Sequence, residues 1–344
     1  MLPMTDFAHR LLAWYDQNAR ELPWRVSPSD RARGVRPDPY RVWLSEIMLQ
    51  QTTIPHGMRY FLRFVELWPT VDALASADRD DIMHEWAGLG YYSRARNLHA
   101  CAEQVVERGG FPDTAKALQK LPGIGPYTAG AIASIAFDEP VAAVDGNVER
   151  VLSRFLAREE PLPQIKSDLK NEASKRVPEQ RAGDFAQAFM DLGATVCTPR
   201  RPDCPSCPLK ADCRAFALGK VEQFPVKPPK KAKPMRHGWA YIIHDGKAFG
   251  VERRPEKGLL AGMTGLPTTD WRVVDDEPSG PDLIDVEGRY IGRVEHVFTH
   301  FRLFLDVVEI QRDDVPGDLK IDIGQSTNSG LPSVFAKAIA LWRN

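Results

Sequence analysis

Long apolar runs are missing from this sequence. No stretch of the 344 residues reaches the ~20 consecutive apolar positions that a membrane-spanning helix needs. The N-terminal segment is broken by Asp6, His9, Arg10 and Asp16, while Phe7, Leu11, Trp14 and Tyr15 recur at helical spacing. It reads as an amphipathic helix and not as a signal peptide. A soluble, reducing compartment is expected, most simply a cytoplasm, with nucleoid association in a bacterial cell. An excess of one charge is missing too: 45 Lys and Arg stand against 46 Asp and Glu, a net −1. Taken whole, that balance argues against nucleic acid. The distribution qualifies this, because residues 219–236 hold six Lys or Arg (220, 227, 230, 231, 233, 236) and one acid, Glu222. A neutral average can hide a local basic surface.

Cysteine is scarce and unevenly placed. Four of the five lie within seventeen residues, as Cys197-x6-Cys204-x2-Cys207-x5-Cys213. Such density in a reducing compartment reads as metal ligation and not as disulfides. Zinc sites commonly pair short C-x2-4-C knuckles, and only Cys204-x2-Cys207 forms one. An iron–sulfur cluster is larger and accepts uneven spacing. The spacing favours one 4Fe-4S cluster and leaves zinc open. Cys101 reads as a buried helical cysteine.

The chain is long enough for two or three cores. Apolar spacings of three and four recur in 7–18, 40–49, 58–67, 94–106 and 147–156, which predicts a mostly α domain over residues 1–218. Residues 219–236, with Pro225, Pro228, Pro229, Pro234 and the lysines, read as a semi-rigid linker that buries no core. After it the period changes. Trp239, Tyr241 and Ile243 alternate, Asp245-Gly246 offers a hairpin turn, 248–252, 289–297 and 301–310 read as strands, and Phe335, Ala338, Ile339 and Trp342 as a closing helix. Residues 237–344 are thus a small α+β domain.

Several constellations carry chemistry. Leu121-Pro122-Gly123-Ile124-Gly125-Pro126-Tyr127 is a glycine turn opening a helix, where bare amides at Gly123 and Gly125 suit a phosphate; an ordinary helical corner is the alternative. Asp145 in Val144-Asp145-Gly146-Asn147 is either a helix cap or a catalytic carboxylate at the mouth of a cleft. Glu46 has Val42, Trp43, Leu49 and Gln50 as helical neighbours, an apolar setting that raises a carboxyl pKa as a general acid needs. Gln50, Gln51 and Thr52 carry groups suited to base edges or phosphates. Leu89 and Tyr91, in Gly88-Leu89-Gly90-Tyr91-Tyr92, form either a wedge for a base stack or a packed aromatic turn.

Together these residues resemble the helix–hairpin–helix DNA glycosylases that carry an iron–sulfur cluster, and within them the adenine DNA glycosylase (MutY) family. The matching stretches are Leu22-Pro23-Trp24-Arg25, 43–52 (WLSEIMLQQT), 86–97 (WAGLGYYSRARN), 121–132, 144–151 and 190–197, spread over the helical domain. The bifunctional members of this superfamily use a lysine at the position of Tyr127 to form a Schiff base, which tyrosine cannot do. The resemblance therefore implies a monofunctional enzyme acting on adenine opposite 8-oxoguanine or guanine in double-stranded DNA, as a monomer. It implies Glu46 as general acid and later water activator, Asp145 as stabiliser or covalent trap of the sugar cation, Tyr127 as support for the charged sugar or Asp145, and Asn147 as an orienting group. Gln187 would read the flipped adenine, Arg25 would join the DNA- and substrate-binding set, and Gln51, Thr52, Leu89 and Tyr91 would work on the lesion side. Arg200, Arg201 and Lys210 would face phosphates.

The second domain resembles the family's Nudix-like lesion-recognition domain, through Gly258-Leu259-Leu260-Ala261-Gly262-Met263 and Phe298-Thr299-His300. The Glu-rich hydrolase signature of Nudix enzymes is absent, so a reader of 8-oxoguanine is expected and not a pyrophosphatase. Thr299 stands where family members carry Ser or Thr, which keeps the hydroxyl. Pro55, in a stretch where the family often continues without proline, predicts a slightly different helix start. A bifunctional pyrimidine glycosylase with lyase activity, a non-catalytic DNA damage-binding protein and a nucleotide hydrolase remain as alternatives. Tyr127, the two carboxylates and the missing signature weigh against them in turn.

Overall fold

A computed structural model describes residues 4–228, 232–255, 258–278, 288–324 and 330–343. The chain divides into two units: Met1–Glu85 with Arg94–Pro229, and Lys230–Asn344 with the short insertion Trp86–Ser93. The helices of the N-terminal part begin with α1 (Met4–Asn18), α2 (Pro28–Ala32), α3 (Pro39–Met48), α4 (Ile54–Leu67), α5 (Val71–Ala75) and α6 (Arg79–Glu85). They continue with α7 (Ser93–Glu107), α8 (Ala115–Leu118), α9 (Pro126–Phe137), α10 (Gly146–Leu156), α11 (Leu162–Ser174), α12 (Ala182–Asp191) and α13 (Arg214–Ala217).

Local chemistry explains the helices that matter for the site. Asp38 caps α3 by accepting from the Tyr40 amide, with Pro39 in the first turn, and α3 buries Val42, Trp43, Leu44, Ile47 and Met48. Pro55 stands in the first turn of α4, as the sequence predicts. Helix α9 is apolar on nearly every side and buries Ala129, Ala131, Ile132, Ala133 and Ile135, so it runs through the middle of the unit. Phe7 of α1 meets Phe155 edge-on at 5.0 Å and Phe189 stacked at 5.6 Å, knitting α1, α10 and α12 into one core.

The proline- and lysine-rich stretch departs from expectation. Phe224 is buried, its carbonyl accepts from Arg154, and the Val226 carbonyl accepts from the Leu162 amide. One aromatic anchor among prolines packs this part of the predicted linker onto the helical unit, which composition does not reveal. Positions 229–231 lie outside the described residues.

The second unit is built on β1 (Met235–His244), β2 (Ala248–Arg253), β3 (Thr264–Gly265), β4 (Arg272–Val274), β5 (Arg289–Val297), β6 (Arg302–Gln311) and β7 (Leu319–Asp322), closed by α14 (Ser333–Arg343). The sheet order is β3-β2-β1-β6-β5, with β4 also on β1 and β7 on β2. Strands β1 and β6 are parallel, Met235 beside Arg302 through His244 beside Gln311, and the other pairs are antiparallel. Alternation sends Leu303, Leu305 and Val307 into one core with Val334, Phe335, Ala338 and Ile339 of α14.

Candidate active site and cysteine centre

A pocket of ≈ 550 Å³ opens in the helical unit. Glu46, Tyr127, Asp145, Asn147, Gln187, Arg25, Gln51 and Thr52 all line it, so eight of the residues singled out from sequence meet in one place. They come from α3, the segment after it, α9, α10, α12 and the Leu22–Arg25 loop. Glu46 keeps some surface on the pocket but lies deep in it. Burial pushes its carboxyl up to about 7, against a hydrogen bond from the Tyr127 hydroxyl; the Asp145 charge raises it further and Arg25 lowers it. Burial and the neighbouring carboxylates raise the Tyr127 phenol well above its ordinary value, so this residue stays a neutral donor.

Asp145 both caps α10 and lines the pocket. Its Oδ1 caps α10 by accepting from the Asn147 amide at 2.9 Å and the Val148 amide at 2.8 Å, and its Oδ2 accepts from Asn147 Nδ2 at 2.7 Å. Asn147 Oδ1 accepts from Arg150 Nη2 at 2.9 Å, which fixes the amide's orientation. Arg150 in turn donates to the Gly193 carbonyl at 2.6 Å and the Cys197 carbonyl at 2.8 Å. Gly193 belongs to a π-helical turn, Leu192–Val196, that follows α12. A Cβ on Gly193 would sit 2.6 Å from the Asn147 Cβ, so only glycine lets this turn approach the Asp145 cap. Gln187 is buried; its Nε2 reaches the Gly183 carbonyl at 3.3 Å and its Oε1 has no partner among the described residues. A buried acceptor at the pocket wall suits a ligand with an N–H donor.

All four clustered cysteines line one small apolar pocket of ≈ 20 Å³, with Val151, Phe155 and Leu209. Arg154, almost fully buried, donates to the Thr198 carbonyl at 2.7 Å, the Phe224 carbonyl at 3.0 Å, the Pro199 carbonyl at 3.1 Å and the Cys197 Sγ at 3.3 Å. Among the described residues no three His, Cys, Asp or Glu side chains converge on a single metal-ion position. Arg200, Arg201 and Lys210 are exposed nearby.

The glycine hairpin stands at the start of α9. Gly123 has φ +73°, Gly125 caps the helix with open space where a side chain would be, and Tyr127 follows within the first turn. Gly123 and Gly125 are exposed and do not line the pocket. In the second unit the Tyr91 hydroxyl lies 2.6 Å from the Thr299 hydroxyl, and Thr299 and His300 are exposed. Tyr91 is also exposed, whereas Leu89 is buried, so the outward side chain of that loop is the tyrosine.

Sequence reasoning missed Arg20, Trp24 and Met190 in the pocket wall, which Gln50 also lines. It also missed Asp191, fully buried, which accepts from Arg20 Nε at 2.6 Å and Arg25 Nη1 at 2.7 Å and so clamps both guanidiniums. A signal existed: two arginines five apart around Leu-Pro-Trp, and one acid ending an apolar helix.

Residues 44–179 match the family model described as HhH-GPD superfamily base excision DNA repair protein, and residues 238–341 match a NUDIX domain. The mouse protein named adenine DNA glycosylase is 38% identical over 91% of this chain and 72% of its own length. A Buchnera aphidicola (Schizaphis graminum) protein of the same name is 30% identical over 98% of this chain and 99% of its own. The chain belongs to the adenine DNA glycosylase family. The human adenine DNA glycosylase is 37% identical over 88% of the chain, which spans 66% of that relative. The helical part of this family member is also similar to a thermostable thymine-DNA glycosylase, at TM-score 0.54 and 29% identity over 62% of this chain and 97% of that one. An endonuclease III solved in a non-covalent DNA complex shares the fold, at TM-score 0.50 and 22% identity over 64% of this chain and 99% of that one. The fold is thus a mostly α helix–hairpin–helix glycosylase domain followed by an α+β Nudix-like domain, as the sequence predicts.

Proposed function

We propose that this chain is a monofunctional adenine DNA glycosylase of base excision repair, acting on adenine paired with 8-oxoguanine or guanine. The observation that carries the reading is the Glu46–Tyr127–Asp145 group in one pocket, with the Glu46 carboxyl near neutrality and a tyrosine, not a lysine, at position 127. A flipped adenine would enter the pocket, and the unpaired Gln187 Oε1 suits its exocyclic amine. Neutral Glu46 gives its proton to a ring nitrogen as the bond from the sugar carbon to adenine breaks, and the bond's electron pair leaves with the base. The resulting oxocarbenium-like sugar is held by the Asp145 carboxylate. Glu46, now ionised, takes a proton from the attacking water, which leaves an abasic site. The cap on α10 and the Asn147 amide aim Asp145; Tyr127 tunes Glu46.

The four cysteines would hold one 4Fe-4S cluster, a reading supported by their uneven spacing and by the cavity they share. Such a cluster would supply a cross-link that orders the loop after α12; no step of the excision runs through it. The Gly123 and Gly125 amides would receive a DNA phosphate, and Tyr91, Phe298, Thr299 and His300 would address the opposite base.

The test is a duplex with adenine opposite 8-oxoguanine. Free adenine should appear, with strand cleavage only after alkali. No adenine release would overturn the proposal, and borohydride trapping without alkali would favour a lyase.

A further inference from the structure

The second unit contains an aromatic ladder that the proposed chemistry does not use. Its start is the turn between β5 and β6, residues 298–301, closed by the Phe298 amide on the Phe301 carbonyl at 2.9 Å. Lys233 Nζ donates to the Phe298 carbonyl at 2.8 Å and holds the turn from the side. The Phe298 ring lies 4.8 Å from Phe301, 4.5 Å from His296 and 5.8 Å from Trp271, centroid to centroid. Trp271 leans over Phe298 at an interplanar angle of 31°. The Arg254 guanidinium lies 5.1 Å from the Trp271 ring, and Arg236 lies 4.5 Å from Phe301. Two cations thus bracket the aromatic rings.

Trp271 sits here at a cost. Its indole N–H is buried without a partner among the described residues, and a position that gives up a hydrogen bond is held by its ring contacts. The floor beneath it is Gly238 of β1, where a Cβ would fall 2.5 Å from the Trp271 Cδ1. Arg254 ties the other end down: its Nε reaches the Leu259 carbonyl at 3.4 Å, and its backbone pairs with Met263 and Gly262. The ladder therefore joins the 258–263 loop to the 298–301 turn. Thr299 and His300, at the tip of that turn, are exposed, while Phe298 beneath them is clamped.

We infer that Trp271, seated on Gly238 and backed by Arg254, is a positioning residue for recognition of the base opposite adenine: by holding Phe298 it presents Thr299 and His300 in one orientation. The inference rests on the reading that this tip addresses the opposite base. A rigid tip discriminates because a misplaced hydroxyl or imidazole loses its hydrogen bond to the lesion, while binding to the rest of the duplex is untouched.

The experiment uses the full chain and two duplexes, adenine opposite 8-oxoguanine and adenine opposite guanine. Affinity and single-turnover release are measured on each. For Trp271→Ala the preference for 8-oxoguanine in Kd should fall by about tenfold, the size of a lost aromatic stack, with the saturated release rate on the guanine duplex unchanged. Trp271→Phe should keep most of the preference. Equal weakening on both duplexes, or a parental preference in Trp271→Ala with parental melting, overturns the inference. If Trp271→Ala lowers the melting temperature, Arg254→Met decides, since it removes the cation facing the ring, with its bonds to the Leu259 carbonyl and Thr268 Oγ1, and leaves every ring of the ladder in place: a reduced preference supports the ladder and a parental one overturns it. Thr299→Ala separates the premise. A parental preference there removes the tip reading itself, whereas its loss alongside an indifferent Trp271→Ala removes only the ladder.

Discussion

Replacing Tyr127 with phenylalanine removes the hydrogen bond that the phenol donates to Glu46 and little else of its volume. That bond favours the ionised carboxylate, whereas burial and the Asp145 charge favour the neutral acid and set it at about 7. A hydrogen bond to a charged group contributes about 1.5–3 kcal/mol. At about 1.4 kcal/mol per pH unit, its loss raises the Glu46 carboxyl by about 1–2 units. Glu46 retains some surface on the pocket, where water can replace the phenol, so the lower end of that range is the expectation. The acid role needs the protonated form. The alkaline limb of single-turnover adenine release should therefore move upward, from near 7 toward about 8. The plateau height is a separate matter, because Tyr127 also stands against Asp145. The assay follows release from pH 5 to 10 at saturating enzyme, each variant scaled to its own maximum. An alkaline limb that stays in place or moves down would refute the assignment of Glu46 as the acid tuned by Tyr127.

Asp145→Asn should abolish most excision, on the order of 10²–10³-fold, with duplex affinity and melting temperature near parental, because asparagine caps a helix as well as aspartate does; retained turnover would remove Asp145 from the chemistry. Glu46→Gln tests linkage: the folded Glu46 carboxyl stands above its ordinary 4.5, so its stabilisation is complete below about 4.5 and is lost as pH rises through about 7. The variant should match the parent in denaturant melts at pH 4 and exceed it at pH 8.5, by up to about 2 kcal/mol once the pocket-facing surface is discounted; equal stability at both pH values would refute the raised value. Arg154→Met strands the carbonyls of Thr198, Pro199 and Phe224 and should cost about 3–5 kcal/mol, with a fall in bound iron and sulfide read by chemical analysis.

Much of the helical unit was legible because its physics is local. Apolar spacing marks α1, α3, α4, α7 and α10, and Pro126 after Gly125 marks the start of α9. The site was legible where a residue is out of place for its surroundings: a glutamate among apolar neighbours, a carboxylate before glycine, thiols in a crowd. What stayed hidden is set by partners distant in sequence. Asp191 reads as a helix-ending acid until Arg20 and Arg25 arrive from more than 160 residues away. Leu89 and Tyr91 look alike as bulky loop residues, and only the fold buries the first and exposes the second. Phe224 is one aromatic in a stretch whose composition says linker. The edge strands β3, β4 and β7 have two to four residues each, too short for alternation to register.

The π-helical turn after α12 has a consequence for how the chain can vary. Each residue of an α-helix advances the side-chain direction by about 100°, and a π turn inserts one residue into that count. Between Asp191 and Cys197 the count is what matters: the Cys197 amide closes back on the Leu192 carbonyl at 2.7 Å, across five residues. Deleting any one of them would swing the cysteine about 100° away from its three fellows while leaving the arginine clamp on Asp191 undisturbed. The segment therefore keeps phase between pocket and cysteine centre, and its length constrains it more than the identity of the exposed Ala194.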